Sequence, residues 1–112
     1  MKKIEAIVHP HTVDDIRKAL LEAGFCGMTI LEVKGFGRQK GHSEIYRGAE
    51  YHVGFLPKTK LEIVTSDNRV EEAVSIIICC TKSGKVGDGK IFIFPVDEVI
   101  RIRTEETGED AL

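Results

Sequence analysis

The same succession of hydrophobic periods occurs twice in this chain, and that repetition narrows the folds open to it more than any other feature. Lys3 to Val8 alternates, with Ile4, Ala6 and Val8 on one face, as a half-buried strand does. Thr12 then reads as a helix N-cap with Asp15 in the first turn. Val13, Ile16, Ala19, Leu20 and Ala23 follow at helical spacing, and Gly24 is a natural stop. Met28 to Phe36 is a second strand, with β-branched residues at Thr29, Ile30 and Val33. The pattern restarts at Thr59 to Thr65. Ser66, Asp67 and Asn68 supply caps for a helix carrying Val70, Ala73, Val74, Ile77 and Thr81, and Lys90 to Val96 is the last strand. Residues 37–56 keep neither period. A connection of about twenty residues without structure of its own marks function or disorder.

Two strand-helix-strand halves in 112 residues define an α+β, ferredoxin-like βαββαβ sandwich, one domain over residues 1–112. Three segments stand out within it: a long mobile loop at 37–56, a glycine-rich loop at 83–90, and an acidic, flexible tail at 104–112. Two helices cover only one face of a four-stranded sheet. Yet the second and last strands are apolar on both faces, at Met28, Ile30, Leu31 and Val33, and at Ile91 to Phe94 with Val96. An uncovered apolar sheet face needs a partner, so self-association is expected.

Charged residues make up 30% of the chain and the hydrophobic set 42%, the balance of a soluble globular protein. A net charge of −2 offers no footing for nonspecific nucleic-acid binding. The longest apolar run, Ala73 to Cys80, is interrupted by Ser75 and too short to span a bilayer. The opening Met1-Lys2-Lys3-Ile4-Glu5 does not lead into a signal-type apolar stretch, so a cytoplasmic location is expected. Cys26, Cys79 and Cys80 lack CxxC spacing and read as reduced packing or surface residues. His9-Pro10-His11 places an H-x-H pair at a strand end, with surface histidines as the ordinary reading and a metal pair as the sharper one.

Gly84-Lys85-Val86-Gly87-Asp88-Gly89-Lys90 matches the G-x-x-x-x-G-K part of a phosphate-binding loop. Glycines let backbone amides approach phosphate oxygens, and a lysine adds a point charge. Two features argue against a P-loop NTPase. Ile91 stands where the Mg²⁺-holding hydroxyl belongs, and a helix precedes the loop while a strand follows it. Phosphate held here needs amides plus side-chain cations, and Arg101 and Arg103, two apart on an extended segment, share a face as a bidentate clamp. An ordinary glycine-rich turn with solvated bases fits the same residues.

Tyr46-Arg47-Gly48-Ala49-Glu50-Tyr51 and Ser83-x-x-x-Gly87-Asp88-Gly89-Lys90-Ile91-Phe92-Ile93 resemble the two signature motifs of the PII nitrogen-regulatory family. Lys34 to Gly41 and Phe55-Leu56-Pro57-Lys58 follow the same pattern, and the resemblance runs from Met1 to about Arg103. It implies a homotrimer with ATP or ADP in each cleft between subunits. Gly87, Asp88, Gly89 and Lys90, with Arg101 and Arg103 of a neighbouring copy and Arg38 from the loop base, would hold the nucleotide phosphates. Thr29, Glu62 and Val64 would surround the adenine. Gln39 would ligate Mg²⁺ together with ATP and 2-oxoglutarate, whose carboxylates would meet Lys40, Gly41 and Lys58. Taken alone, Lys58 is a strand-end lysine and Gln39 a loop residue.

By the same resemblance Tyr51 is available for uridylylation by a uridylyltransferase, or serves as a plain contact residue. Glu44, Arg47 and Tyr51 would touch targets, among them an ammonium transporter to which the protein is reversibly recruited and other nitrogen-regulatory proteins. His9-Pro10-His11 departs from the Lys-Pro-aromatic of many relatives, and Gly54 from their acidic residue. A non-enzymatic sensor is therefore expected. Two other readings compete: a weak ATP-hydrolysing or phosphoryl-transfer enzyme built on the near-P-loop, and an RNA-binding module using Phe92 and Phe94.

Overall fold

The computed structural model describes residues 1–36, 43–46, 49–52 and 54–112, the two short inner segments as backbone alone. Strand β1 (Lys2–Val8) leads through a 3-10 turn at Pro10–Thr12 into helix α1 (Val13–Glu22), and β2 (Thr29–Gly35) follows. Two short strands, β3 (Ser43–Tyr46) and β4 (Ala49–His52), precede β5 (Leu56–Thr65). A 3-10 turn at Asp67–Arg69 opens helix α2 (Val70–Thr81), and β6 (Gly89–Pro95) completes the sheet. The four long strands lie in the order β2-β5-β1-β6, antiparallel throughout, which is the expected α+β, ferredoxin-like arrangement.

Alternation decides which residues enter the core. Ile4, Ala6 and Val8 of β1 face the same way as Leu61 and Ile63 of β5, and all are essentially buried against Ile16 and Leu20 of α1 and Ala73 and Ile77 of α2. The opposite sheet face is mixed. Its middle holds a chain of ion pairs, Lys3–Glu5 at 3.6 Å, Glu5–Lys60 at 3.8 Å and Lys60–Glu62 at 3.9 Å. Leu31 flanks them on one edge strand, and Phe92 and Phe94, each 41% exposed, on the other. These two phenylalanines thus lie outside the core that β6 supplies through Ile91. The register pairs them with Glu5 and Lys3 rather than with Ile4 and Ala6.

Thr12 holds the N-cap position of α1 with Asp15 in its first turn, as expected, but the side chains at both helix starts bond elsewhere than to the helix amides. Thr12 Oγ1 donates to the carbonyl of His9 at 2.7 Å, because the preceding 3-10 turn brings that carbonyl within reach. Ser66 Oγ donates to Glu109 at 2.6 Å, and Asp67 meets the amino terminus of Met1 at 2.9 Å, so neither caps α2. Gly24 does stop α1. Its φ of +89° turns the chain, while Gly24 N and Phe25 N donate to Leu21 O at 3.0 Å and Leu20 O at 2.9 Å.

Arg69 ties the two helices together. Its Nη2 donates to Ala23 O at 2.5 Å and pairs with Glu72 at 3.1 Å, and its guanidinium lies 4.0 Å from the Phe25 ring centroid. Arg69→Ala should cost about 1–2 kcal/mol, since it strips α1 of a charge-assisted cap and Phe25 of its cation. Thermal unfolding checks this, and an unchanged midpoint would contradict it.

Two segments carry more structure than their sequence suggests. Within 37–56, β3 and β4 pair in antiparallel register, Glu44 opposite Tyr51. Four-residue strands put only two residues on each face, too few for alternation to show. The acidic tail folds back on the domain. Arg101 N donates to Glu106 O at 2.9 Å, Ile100 bridges Thr107, and Gly108 N reaches Val99 O at 2.9 Å before a 3-10 turn at Gly108–Ala111. Residues 102–104 are a turn, so Arg101 and Arg103 do not share the face of an extended segment. Glu105 at φ +59° completes the reversal. Four residues of apolar-basic alternation do not distinguish a strand from a tight hairpin.

Candidate functional site

Three pieces of chain distant in sequence meet where β1 ends and β5 begins. Val8 pairs with Thr59 on one side and with Gly89 on the other, which sets the glycine-rich loop beside the start of β5. Gly89 fits only as glycine. Its φ is +122°, and a Cβ there would overlap the carbonyl oxygen of Ile7. The loop is pinned from inside by Asp88, whose carboxylate accepts from Ser83 N at 2.8 Å, Gly84 N at 3.0 Å and the Ser83 hydroxyl. Those bonds, the hydroxyl's foremost, hold the Asp88 carboxyl below its ordinary range. Asp88 therefore shapes the loop.

Lys58 is the focus of the site. Its side chain is almost wholly buried, at 8% exposure, and its ammonium donates to Gly87 O at 2.9 Å and to His9 Nδ1 at 3.2 Å. Burial keeps it below the usual lysine value, with Asp88 opposing. His9 is likewise lowered, first by burial, then by Lys58 and His11, against a weaker opposite pull from Asp88. The His9 and His11 rings stack with centroids 5.5 Å apart. Among the described residues no three His, Cys, Asp or Glu side chains gather as a metal-ligand group, so the H-x-H pair has no third partner there.

The feet of segment 37–56 stand beside Lys58. Gly35 pairs with Leu56 and Lys34 with Pro57 on the β2–β5 ladder, and the rings of Phe36 and Phe55 meet edge to face, centroids 6.5 Å apart. Pro10, Glu32, Val33, Lys34, Pro57 and Thr59 line a pocket shared with Lys58. His9 is the residue whose role sequence reading missed. Only the register of β1 against β5 reveals that it reaches Lys58.

The remaining site residues lie apart. Thr29 and Glu62 are register partners, and Val64 is 38% exposed on the same strand as Glu62. Glu62 and Val64 lie three and five positions beyond the level of Gly89, roughly 10 and 17 Å along the strand. Thr29 is on the edge strand opposite β6, with β5 and β1 between. Lys90 is exposed on β6. Arg101 Nη1 pairs with Glu106 at 3.1 Å and its Nη2 donates to Leu112 O at 3.0 Å, while Arg103 is exposed on the turn. One chain thus brings Lys58 to Gly87 but not the adenine-assigned residues or the arginines to the loop. Arg38, Gln39, Lys40, Gly41 and Arg47 lie outside the described residues, and Glu44 and Tyr51 are described as backbone alone.

The glycine loop leaves α2 and enters β6, the reverse of the strand-loop-helix order of a P-loop NTPase. Phe92 and Phe94 lie on an edge strand rather than the central pair, with Lys3 5.1 Å from the Phe94 ring. No helix among the described residues is long and apolar enough to cross a membrane.

The sequence matches the family model for nitrogen regulatory protein P-II over residues 1–106. Over all 112 residues of both chains it is 57% identical to the nitrogen regulatory protein P-II of Pasteurella multocida. It is 59% identical to that of Cereibacter sphaeroides and 60% identical to the nitrogen regulatory protein P-II 1 of Escherichia coli K12, again over both full lengths. The chain belongs to the P-II family of nitrogen-regulatory signalling proteins.

Proposed function

We propose that this protein is a non-enzymatic sensor of nitrogen and energy status, working as a homotrimer that binds ATP or ADP and, with Mg-ATP, 2-oxoglutarate. The observation that carries this reading is the ammonium of the largely buried Lys58, bonded to the glycine loop through Gly87 O and set beside both feet of segment 37–56. A ligand that touches the loop and Lys58 together acts on that segment by the same contacts. The wide spacing of Thr29, Glu62, Val64, Arg101 and Arg103 from the loop within one chain favours a nucleotide site completed by a second copy. The mixed open sheet face, apolar at its edges and charged in its middle, suits burial between copies.

In this reading the amides of Gly87 and Gly89, with Lys90 and Arg38, take the phosphates, and Arg101 and Arg103 close on them from a neighbour. Gln39 offers Mg²⁺ a neutral oxygen that does not repel the surrounding anions. Lys40 and Gly41 line the 2-oxoglutarate site, and Lys58 pairs with the distal carboxylate. Filling that site draws the base of segment 37–56 inward and disfavours its extended, target-binding form. Targets include an ammonium transporter at the cytoplasmic membrane face, contacted through Glu44, Arg47 and Tyr51, with Tyr51 also the residue a uridylyltransferase would modify.

Calorimetry of 2-oxoglutarate with Mg²⁺ and either nucleotide tests the sensor. A coupling of about 1–3 kcal/mol between ligands makes 2-oxoglutarate bind on the order of 5–150-fold tighter with ATP than with ADP. Equal affinities would refute the mechanism.

A further inference from the structure

We propose that His9 is a proton-linked positioning residue for Lys58: it is neutral while its Nδ1 accepts from the lysine ammonium, and it takes up a proton when an anion claims that ammonium. The inference rests on the reading that Lys58 pairs with a ligand carboxylate.

An ammonium has three donors and no acceptor. Gly87 O engages the Lys58 group at 2.9 Å and His9 Nδ1 at 3.2 Å. A charged lysine can be accepted at Nδ1 only by an imidazole whose proton is on Nε2, so the contact selects neutral His9. Protonation at Nδ1 would abolish that acceptor and set two cations side by side.

The surroundings reinforce this choice. His11 stacks on His9 from the 3-10 turn that follows it, Lys58 faces it from β5, and Asp88 faces it from the glycine loop. Glu32 and Lys34 of β2 line the pocket next to Lys58. Of these, Asp88 favours the charged imidazole, but its pull is the weakest of the four influences on His9.

A carboxylate arriving at Lys58 reverses the balance. It adds a negative charge beside the imidazole and, seated on the side of the ammonium that faces His9 rather than on its third donor, takes the donor that His9 accepts, releasing Nδ1 to hold a proton. Proton uptake on binding means, by linkage, that affinity rises as pH falls through the interval between the free and bound titrations of His9. A permanently charged side chain at this position would remove the pH dependence while keeping the cation.

The test titrates 2-oxoglutarate into the Mg-ATP-loaded full chain at pH 6.5, in two buffers of different ionisation enthalpy. The wild type should take up about half a proton and bind about threefold tighter at pH 6 than at pH 7.5. His9→Gln should abolish the uptake, and His9→Lys should bind with pH-independent affinity close to the wild-type value at pH 6. Binding without proton uptake, or uptake undiminished in His9→Gln, overturns the role of His9 while leaving Lys58 as the anion partner. Absence of binding at every pH overturns both. Without ligand, the His9 imidazole resonance should titrate at higher pH in Lys58→Met than in the wild type, and an unmoved midpoint also overturns the inference.

Discussion

Lys58→Met should lower 2-oxoglutarate affinity on the order of 100-fold in the presence of Mg-ATP while leaving the fold as stable as the wild type. Removing one partner of a buried charge pair costs about 2–5 kcal/mol of binding, and about 2.7 kcal/mol is a hundredfold. Stability responds differently, because two effects oppose. The variant loses the bond to Gly87 O, but it also removes an ammonium whose charged form burial disfavours. The methionine stem fills most of the same space, and Gly87 is half-buried rather than sealed in the core.

The pH profile of stability gives a second readout. The folded state holds His9 below its ordinary value of 6.5, so between its folded-state value and 6.5 the unfolded chain binds more protons. Wild-type stability therefore falls as pH drops through that window, and Lys58→Met should flatten the slope. Retained 2-oxoglutarate affinity within threefold of wild type would remove Lys58 from the site.

Gly89→Ala should destabilise the domain by about 3 kcal/mol, lowering the unfolding midpoint on the order of 10 °C. At φ +122° an L-residue is strained whatever space surrounds it, and here the added methyl meets the Ile7 carbonyl of the neighbouring strand. Backbone at the centre of a sheet cannot yield as a side-chain tip can. Relief requires Gly89 to leave its pairing with Val8, which would carry Gly87 O away from Lys58. The variant should thus lose nucleotide and 2-oxoglutarate binding together, beyond the loss due to unfolding. Gly84→Ala is the control. Its φ is +84° but nothing lies within 4 Å of the added Cβ, so it carries the strain without the collision. Equal destabilisation of the two variants would show that the close approach to Ile7 contributes nothing.

The strand-helix-strand repeat was legible because each long element buries one face, and burial imposes a period that Ile4, Ala6 and Val8 or Val70, Ala73 and Ile77 display. The glycine loop was legible for a related reason. Positive φ at Gly84, Gly87 and Gly89 excludes most other residues, so a backbone requirement is written as composition. What escaped was whatever depended on short elements or distant partners. Ser66 looks like a helix cap until Glu109 is seen to occupy it, and Arg101 looks free until the tail returns with Glu106. The β3–β4 hairpin is too short to carry a period.

The sequence by itself determined the fold class, the glycine loop and the family, because hydrophobic period and backbone-limited motifs are local properties of the chain. Tertiary structure alone decided that His9, Lys58 and Gly87 are one site. They lie 49 and 29 residues apart, and only the pairing of β1 with both β5 and β6 closes those distances to hydrogen-bond length. Lys58 reads locally as a solvated strand-end lysine, and it becomes a buried, doubly bonded cation because the loop and the histidine fold over it.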